Sequence, residues 1–149
     1  MPPVPDYAFR IVLYIVDKTT DGFHVAIRNV FVPDNDLWET FSPTQLRLCM
    51  SRSGTSATLL FKDCSSSERF SIALGIHNDK PWCDIVLNLP DNADLSIINN
   101  SYYKSRVKPL EANSTRARRV SSRGTTVLLE ISEMEWDGGY TAKVTISST

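Results

Sequence analysis

His77, Asn78, Asp79, Trp82 and Asp84 lie within fourteen residues, Gly75 to Asn88. Side chains of these types recognise hydroxyl-rich ligands. One asparagine amide offers a carbonyl to one hydroxyl and its NH₂ to a neighbour, and an aspartate accepts from two hydroxyls at once. Tryptophan, tyrosine or histidine rings cover an apolar C–H face. Sites of this kind are shallow and wet, so water bridges contribute. Some twenty positions upstream, Ser53-Gly54-Thr55-Ser56 adds hydroxyls and a small turn with open backbone N–H groups. Enzyme chemistry is not indicated, because no serine or cysteine stands with His77 and a third group in a hydrolase pattern. Cys49, Cys64 and Cys83 are odd in number and lack CxxC spacing, so neither a zinc site nor a disulfide framework is expected. They read as buried free thiols of a reducing compartment, and no metal or cofactor is called for.

Short strands must position these groups. Phe70, Ile72, Leu74 and Ile76 alternate with small or polar residues, so a strand delivers His77 and Asn78 to its end. Similar alternation marks Phe9–Ile15, Phe23–Ile27, Leu46–Met50, Ala57–Phe61, Thr125–Ile131 and Tyr140–Ile146. Turn signals fall at Lys18–Gly22, at Ser53-Gly54 and around Asp137-Gly138-Gly139. This pattern predicts an all-β, two-sheet antiparallel sandwich. Pro81, with Trp82, Ile85, Val86 and Leu89 at helical spacing and Pro90 as a stop, predicts one short helix over 81–89 that packs Trp82. Asp91–Ser101 is ambiguous, and Leu110–Ser122 lacks apolar periodicity and reads as a long connection.

The chain has 149 residues, enough for one domain over 1–149 that buries about two thirds of its unfolded surface. A formal net charge of −1 gives no electrostatic reason to expect nucleic acid or an anionic membrane as the main partner. Lys104, Arg106, Lys108, Arg116, Arg118, Arg119 and Arg123 form a basic stretch. Aromatic residues do not interleave with its arginines, so it reads as a solvated connection balanced by Glu130, Glu133, Glu135 and Asp137. With no eighteen-residue apolar run and no signal-peptide pattern at the start, a cytoplasmic location is expected. The sequons at Asn99 and Asn113 then read as chance matches.

Three stretches carry a family resemblance. They are Ser53-Gly54-Thr55-Ser56, Gly75-Ile76-His77-Asn78 with Trp82-Cys83-Asp84-Ile85-Val86, and Ile98-Asn99-Asn100-Ser101-Tyr102-Tyr103. In order and spacing they resemble the fungal fruit-body lectins, most densely from Ser53 to Tyr103. The resemblance implies a sandwich of actinoporin-like topology, with two stacked sheets joined by a helix-containing connection. It implies a homotetramer, which multiplies weak single-site affinity, and a stored defence lectin that meets the glycoproteins or glycolipids of feeding animals or fungi.

By the same resemblance, Ser53, Gly54, His77 and Asn78 line a pocket for the T-antigen disaccharide, galactose β1-3 linked to N-acetylgalactosamine (GalNAc). Asp79 stands where the family usually has tyrosine. Pro33–Trp38 replaces a glycine-containing stretch whose backbone reaches that pocket. Asp84, Ile85 and Arg106 match part of a second pocket, for terminal N-acetylglucosamine. There Leu87 replaces a threonine, and the family tyrosine falls near Ala117. Topology of this kind also occurs in sea-anemone pore-forming toxins, so the alternative function is membrane binding or pore formation. That activity wants an amphipathic N-terminal helix, which Pro2-Pro3-Val4-Pro5 cannot form.

Overall fold

A computed structural model describes residues 7–20, 22–31, 36–133 and 139–148. Among these residues, ten strands are arranged in two stacked sheets. β1 (Phe9–Asp17), β3 (Asp36–Ser42), β4 (Gln45–Met50), β8 (Arg116–Val120), β9 (Thr125–Glu133) and β10 (Gly139–Ser148) form one sheet in the order β3-β4-β1-β10-β9-β8. β2 (Phe23–Val30), β5 (Thr55–Asp63), β6 (Arg69–His77) and β7 (Lys80–Val86) form the other, in the order β2-β5-β6-β7. Every pairing is antiparallel except β1 with β10. The connection from β7 to β8 carries two short helices, α1 (Leu95–Ser101) and α2 (Lys108–Glu111). No helix among the described residues is long and apolar enough to cross a membrane.

The alternating apolar residues do the expected work. Ile11 and Leu13 of β1, Leu46 and Leu48 of β4, Leu59 and Phe61 of β5, and Ile72, Leu74 and Ile76 of β6 meet Val127, Leu129, Val144 and Ile146 between the sheets. Each such side chain, fully buried, favours folding by about 1.5–3 kcal/mol. Strand β2 departs from the expected alternation. A bulge between Val25 and Ile27 shifts its register and turns Ile27 outward, 48% exposed.

The helix expected over 81–89 is instead strand β7. Its register runs Ile85 opposite Ile72, Cys83 opposite Leu74 and Trp82 opposite Gly75. Cys83 and Ile85 join the core between the sheets. Trp82, on the other face, joins a second cluster with Ala73, Tyr102 and Leu110. A strand buried on both faces loses its period-2 signature and reads as a continuous apolar run, which helical spacing also fits. The helix lies further on. Asp94 caps α1, its Oδ1 accepting from the Ser96 N–H at 2.9 Å and the Ser96 hydroxyl at 2.7 Å. The expected connection from Leu110 to Ser122 in fact holds the end of α2 and all of β8. β8 was hidden because Ala117 is its one buried residue among arginines and Val120. Strand β3 had no strand signal strong enough to register. Pro33–Asn35 and the tip of the Asp137 turn lie outside the described residues.

Candidate functional site

Strands β6 and β7 are joined by a two-residue turn. His77 pairs with Lys80, and Asn78 and Asp79 sit at φ 52° and 63°. Both central residues in the left-handed region is the pattern of a type I′ hairpin turn, whose twist matches the flanking strands. Asn and Asp are the non-glycine residues that tolerate this region best. So the sequence Asn78-Asp79 forms the turn locally, and the strands carry it to one end of the sandwich.

Two other loops clamp this tip. From the β4–β5 loop, the Ser53 hydroxyl oxygen accepts from the Asp79 N–H at 2.9 Å. Gly54, at φ 84°, donates its N–H to the Ile76 carbonyl at 2.8 Å. A Cβ at Gly54 would meet nothing within 4 Å, so its outer face is open. From the connection before β8, Asn113 Nδ2 donates to the His77 carbonyl at 2.8 Å and the Lys80 carbonyl at 3.1 Å. The structure thus brings Ser53, Gly54, His77 and Asn78 to one end of the fold. Asn78 is exposed and His77 half-buried. Neither side chain makes a hydrogen bond within the described residues, and Ser53 keeps its own O–H to donate. Asn113 was missed, since one asparagine more than thirty residues from the turn carries no sequence signal.

The hairpin stands on a rigid base. Trp82 is fully buried against Tyr102, ring centroids 5.0 Å apart, and lies over Gly75. A Cβ at Gly75 would stand 2.5 Å from the indole, so only glycine admits the ring there. Beside it a buried polar network ties α1 to the sheet. The Ser56 hydroxyl donates to Asn99 Oδ1 at 2.5 Å and accepts from the Tyr103 hydroxyl at 2.8 Å, and Asn99 Nδ2 donates to Asn29 Oδ1 at 3.0 Å. Burial pushes the Tyr103 phenol up to about 12. Both sequon asparagines are therefore structural: Asn99 is 1% exposed, and the Asn113 amide is committed to two carbonyls.

Asp84 lies on the outer face of β7, 6% exposed. Its Oδ2 accepts from the Tyr102 hydroxyl at 2.9 Å and its Oδ1 from Arg119 at 3.4 Å. Burial, then the neighbouring carboxylate, push the Tyr102 phenol well above its usual range. Asp84 faces a cavity of about 240 Å³ that Lys108, Arg116 and Arg119 also line, with Ala117 and Cys83 at its walls. Arg106 is not in this lining; it acts on the Tyr102 phenol through its charge. Ile85 points into the core between the sheets, and Leu87 packs against that core. Of the second group read from the sequence, Asp84 alone faces the cavity.

A larger cleft, about 410 Å³, opens at the opposite end of the sandwich between Ile15, Phe23, Val25, Leu46 and Phe61. It holds none of the motif residues, and its mainly apolar walls suit hydroxyl recognition poorly. Among the described residues no cluster of histidine, cysteine or acids is placed to hold a metal. The three cysteines are free, but Cys64 is exposed, unlike the buried thiol expected; it lies in the loop after β5, where no core reaches.

A family model described as fungal fruit body lectin matches residues 7–137. The Boletus edulis lectin is 35% identical over 91 residues, 61% of this chain, and the chain spans 56% of that protein's length. Two crystal structures of the Xerocomus chrysenteron lectin, the wild type and a methionine-substituted variant, superpose with a TM-score of 0.84 at 28% identity. They cover 93% of this chain and 99% and 97% of their own.

Proposed function

The chain belongs to the fungal fruit body lectin family, and on that premise we propose that it binds carbohydrate through the tip of the β6–β7 hairpin. Ser53, Gly54, His77 and Asn78 form the contact surface, and Asn78 is its hydrogen-bonding hub. The ligand class is glycans with terminal galactose or N-acetylgalactosamine, the T-antigen disaccharide among them. One observation carries the reading. Two loops far apart in sequence are locked together by Ser53–Asp79 and Gly54–Ile76 hydrogen bonds, while the Asn78 amide at their junction is exposed and unengaged within the described residues. An amide held in a fixed turn loses little freedom on binding, and it can bridge two neighbouring sugar hydroxyls. Nothing in this arrangement calls for a reaction or a cofactor. Homotetramerisation would multiply the modest affinity of so open a site, and the family resemblance assigns such a lectin a defence role against glycoprotein-bearing feeders.

The test is a glycan array followed by calorimetry with the free T-antigen disaccharide. Selective retention of galactose- and N-acetylgalactosamine-terminated glycans is expected. Binding confined to mannose or fucose would overturn the ligand class, and no binding to any glycan would overturn the lectin reading itself.

A further inference from the structure

The cavity at Asp84 is electropositive in a chain whose formal net charge is −1. From Lys104 to Arg123 the sequence holds seven lysines and arginines against the single acid Glu111. Some of these have an ordinary structural use. β8 is the outermost strand of its sheet, where charged side chains discourage edge-to-edge pairing with another chain. Of the acids expected to balance them, among the described residues Glu130 reaches Arg116, at 3.7 Å, with both side chains well exposed. An exposed pair at that distance contributes little.

Edge protection does not account for the convergence of Lys108 from α2 with Arg116 and Arg119 from β8 on one cavity. Asp84 is the one carboxylate among its described lining residues, and each of its oxygens already accepts a hydrogen bond. Three cations against one acid leave a formal excess of two positive charges. Arg119 is held in place on both sides: NH2 donates to Asp84, and NH1 to the Arg118 carbonyl at 3.0 Å. A guanidinium fixed in this way is pre-organised for a planar or tetrahedral oxyanion.

We propose that this cavity binds an anionic saccharide, a sugar bearing a sulfate ester or a carboxylate, with Lys108, Arg116 and Arg119 meeting the charged group. The cavity lies where the family resemblance places its second, N-acetylglucosamine pocket, so what is new is the charge: the proposal rests on the lectin reading and makes this site on the side of the sandwich charge-selective, apart from the neutral site at the hairpin tip. Hydroxyls of the same sugar have the free lone pairs of Asp84 and the Ser114 hydroxyl to meet.

The experiment titrates the full chain with matched pairs: N-acetylglucosamine against its 6-sulfate, and the T-antigen disaccharide against its sialylated form. At low ionic strength the charged member of a pair is expected to bind about tenfold tighter, and the gain should shrink as salt rises. A gain with sulfate alone or with sialic acid alone identifies which anion the cavity takes. Equal affinity within both pairs overturns the proposal. The double variant Lys108→Gln/Arg116→Gln, shown by its melting curve to be folded, should erase the preference; if it keeps the preference, the anion sits elsewhere and the assignment falls. Titration of the neutral disaccharide on the same protein separates the two ideas. If it binds while charge adds nothing, only the cavity assignment fails; if no sugar binds, the lectin reading fails with it.

Discussion

The β6–β7 hairpin presents two candidate sites of opposite construction. At its tip, side chains stand clear of the core. Hydrogen bonds between its backbone and the Ser53 hydroxyl, the Gly54 N–H and the Asn113 side-chain amide hold the turn, while the Asn78 and His77 side chains are left over for a ligand. On its outer face, Asp84 belongs to the cavity and to the packed interior at once, and Cys83 lines the same cavity from the inner face. Asp84 holds Tyr102, which packs on Trp82, which fills the space over Gly75. The tip separates binding from stability, and the outer face couples them. Substitutions along the hairpin should therefore divide into those that unfold the protein and those that only silence it.

The largest effect is expected at the foot of the outer face. Trp82→Ala empties a fully buried aromatic site and should cost about 3–5 kcal/mol of stability. Chemical denaturation measures this directly; a variant with unchanged stability that has lost only sugar binding would place Trp82 in a ligand site and dissolve the contrast. Gly75→Ala attacks the same contact from the other side. Its added methyl would stand 2.5 Å from the indole, so ring or strand must shift, at about 1–3 kcal/mol. A melting temperature equal to the parent's would show that the ring has room to move.

The same contrast explains how much could be read from the sequence. At the tip, the strand end at His77 and Asn78 and the small polar turn at Ser53-Gly54 were legible because their information is local, a period-2 alternation from Phe70 to Ile76 and a turn between apolar runs. The two-residue turn at Asn78-Asp79 was not, because β7 passed for a helix. The resemblance to the lectins supplied the pairing of those loops. The outer face was not legible, because Trp82 and Asp84 are buried by helices that come later in the chain, so β7 showed apolar residues on both faces and passed for a helix. Nor does the local pattern show that Arg119 rather than Arg106 meets Asp84. That depends on β8 pairing with β9, Ala117 opposite Leu129, which places Arg119 beside β7. Long-range register of this kind leaves no trace in a basic stretch that looks like a solvated loop.

At the tip the expected loss is one of binding alone. Asn78→Gly removes the amide and keeps a residue at home at φ 52°. Sugar hydroxyls left without a partner should cost about 1–3 kcal/mol, roughly ten- to a hundredfold in affinity. Stability should stay within about 0.5 kcal/mol of the parent, as for other surface substitutions. Asn78→Ala is the less clean variant, because alanine in the left-handed region adds about 1–2 kcal/mol of backbone strain. Calorimetry and melting on Asn78→Gly together decide between the two roles: undiminished affinity removes Asn78 from the site, and a large stability loss makes the turn structural.

The smallest effect is a chemical one that reports on how closed the cavity beside β7 is. Cys83 lines the cavity, yet burial pushes its thiol up to about 12, and its Sγ lies 4.0 Å from the Leu129 carbonyl. Burial likewise raises Cys49 to about 11, beside Glu39. Raised thiols are protonated at neutral pH, and a group near 12 is thiolate in only about one molecule in ten thousand at pH 8. Cys64 is exposed and has no such shelter. Iodoacetamide at pH 8 should therefore modify one thiol per chain quickly, and peptide mapping should find it at Cys64. Cys49 and Cys83 should react only when the fold opens or when the pH approaches 11. Blocking Cys64 should leave sugar binding at the tip as it was, since that loop lies at the other end of β5. Rapid alkylation of Cys83 in the folded protein would mean that the cavity opens to solvent through to the core between the sheets, and the closed coupling of cavity to core would then be wrong.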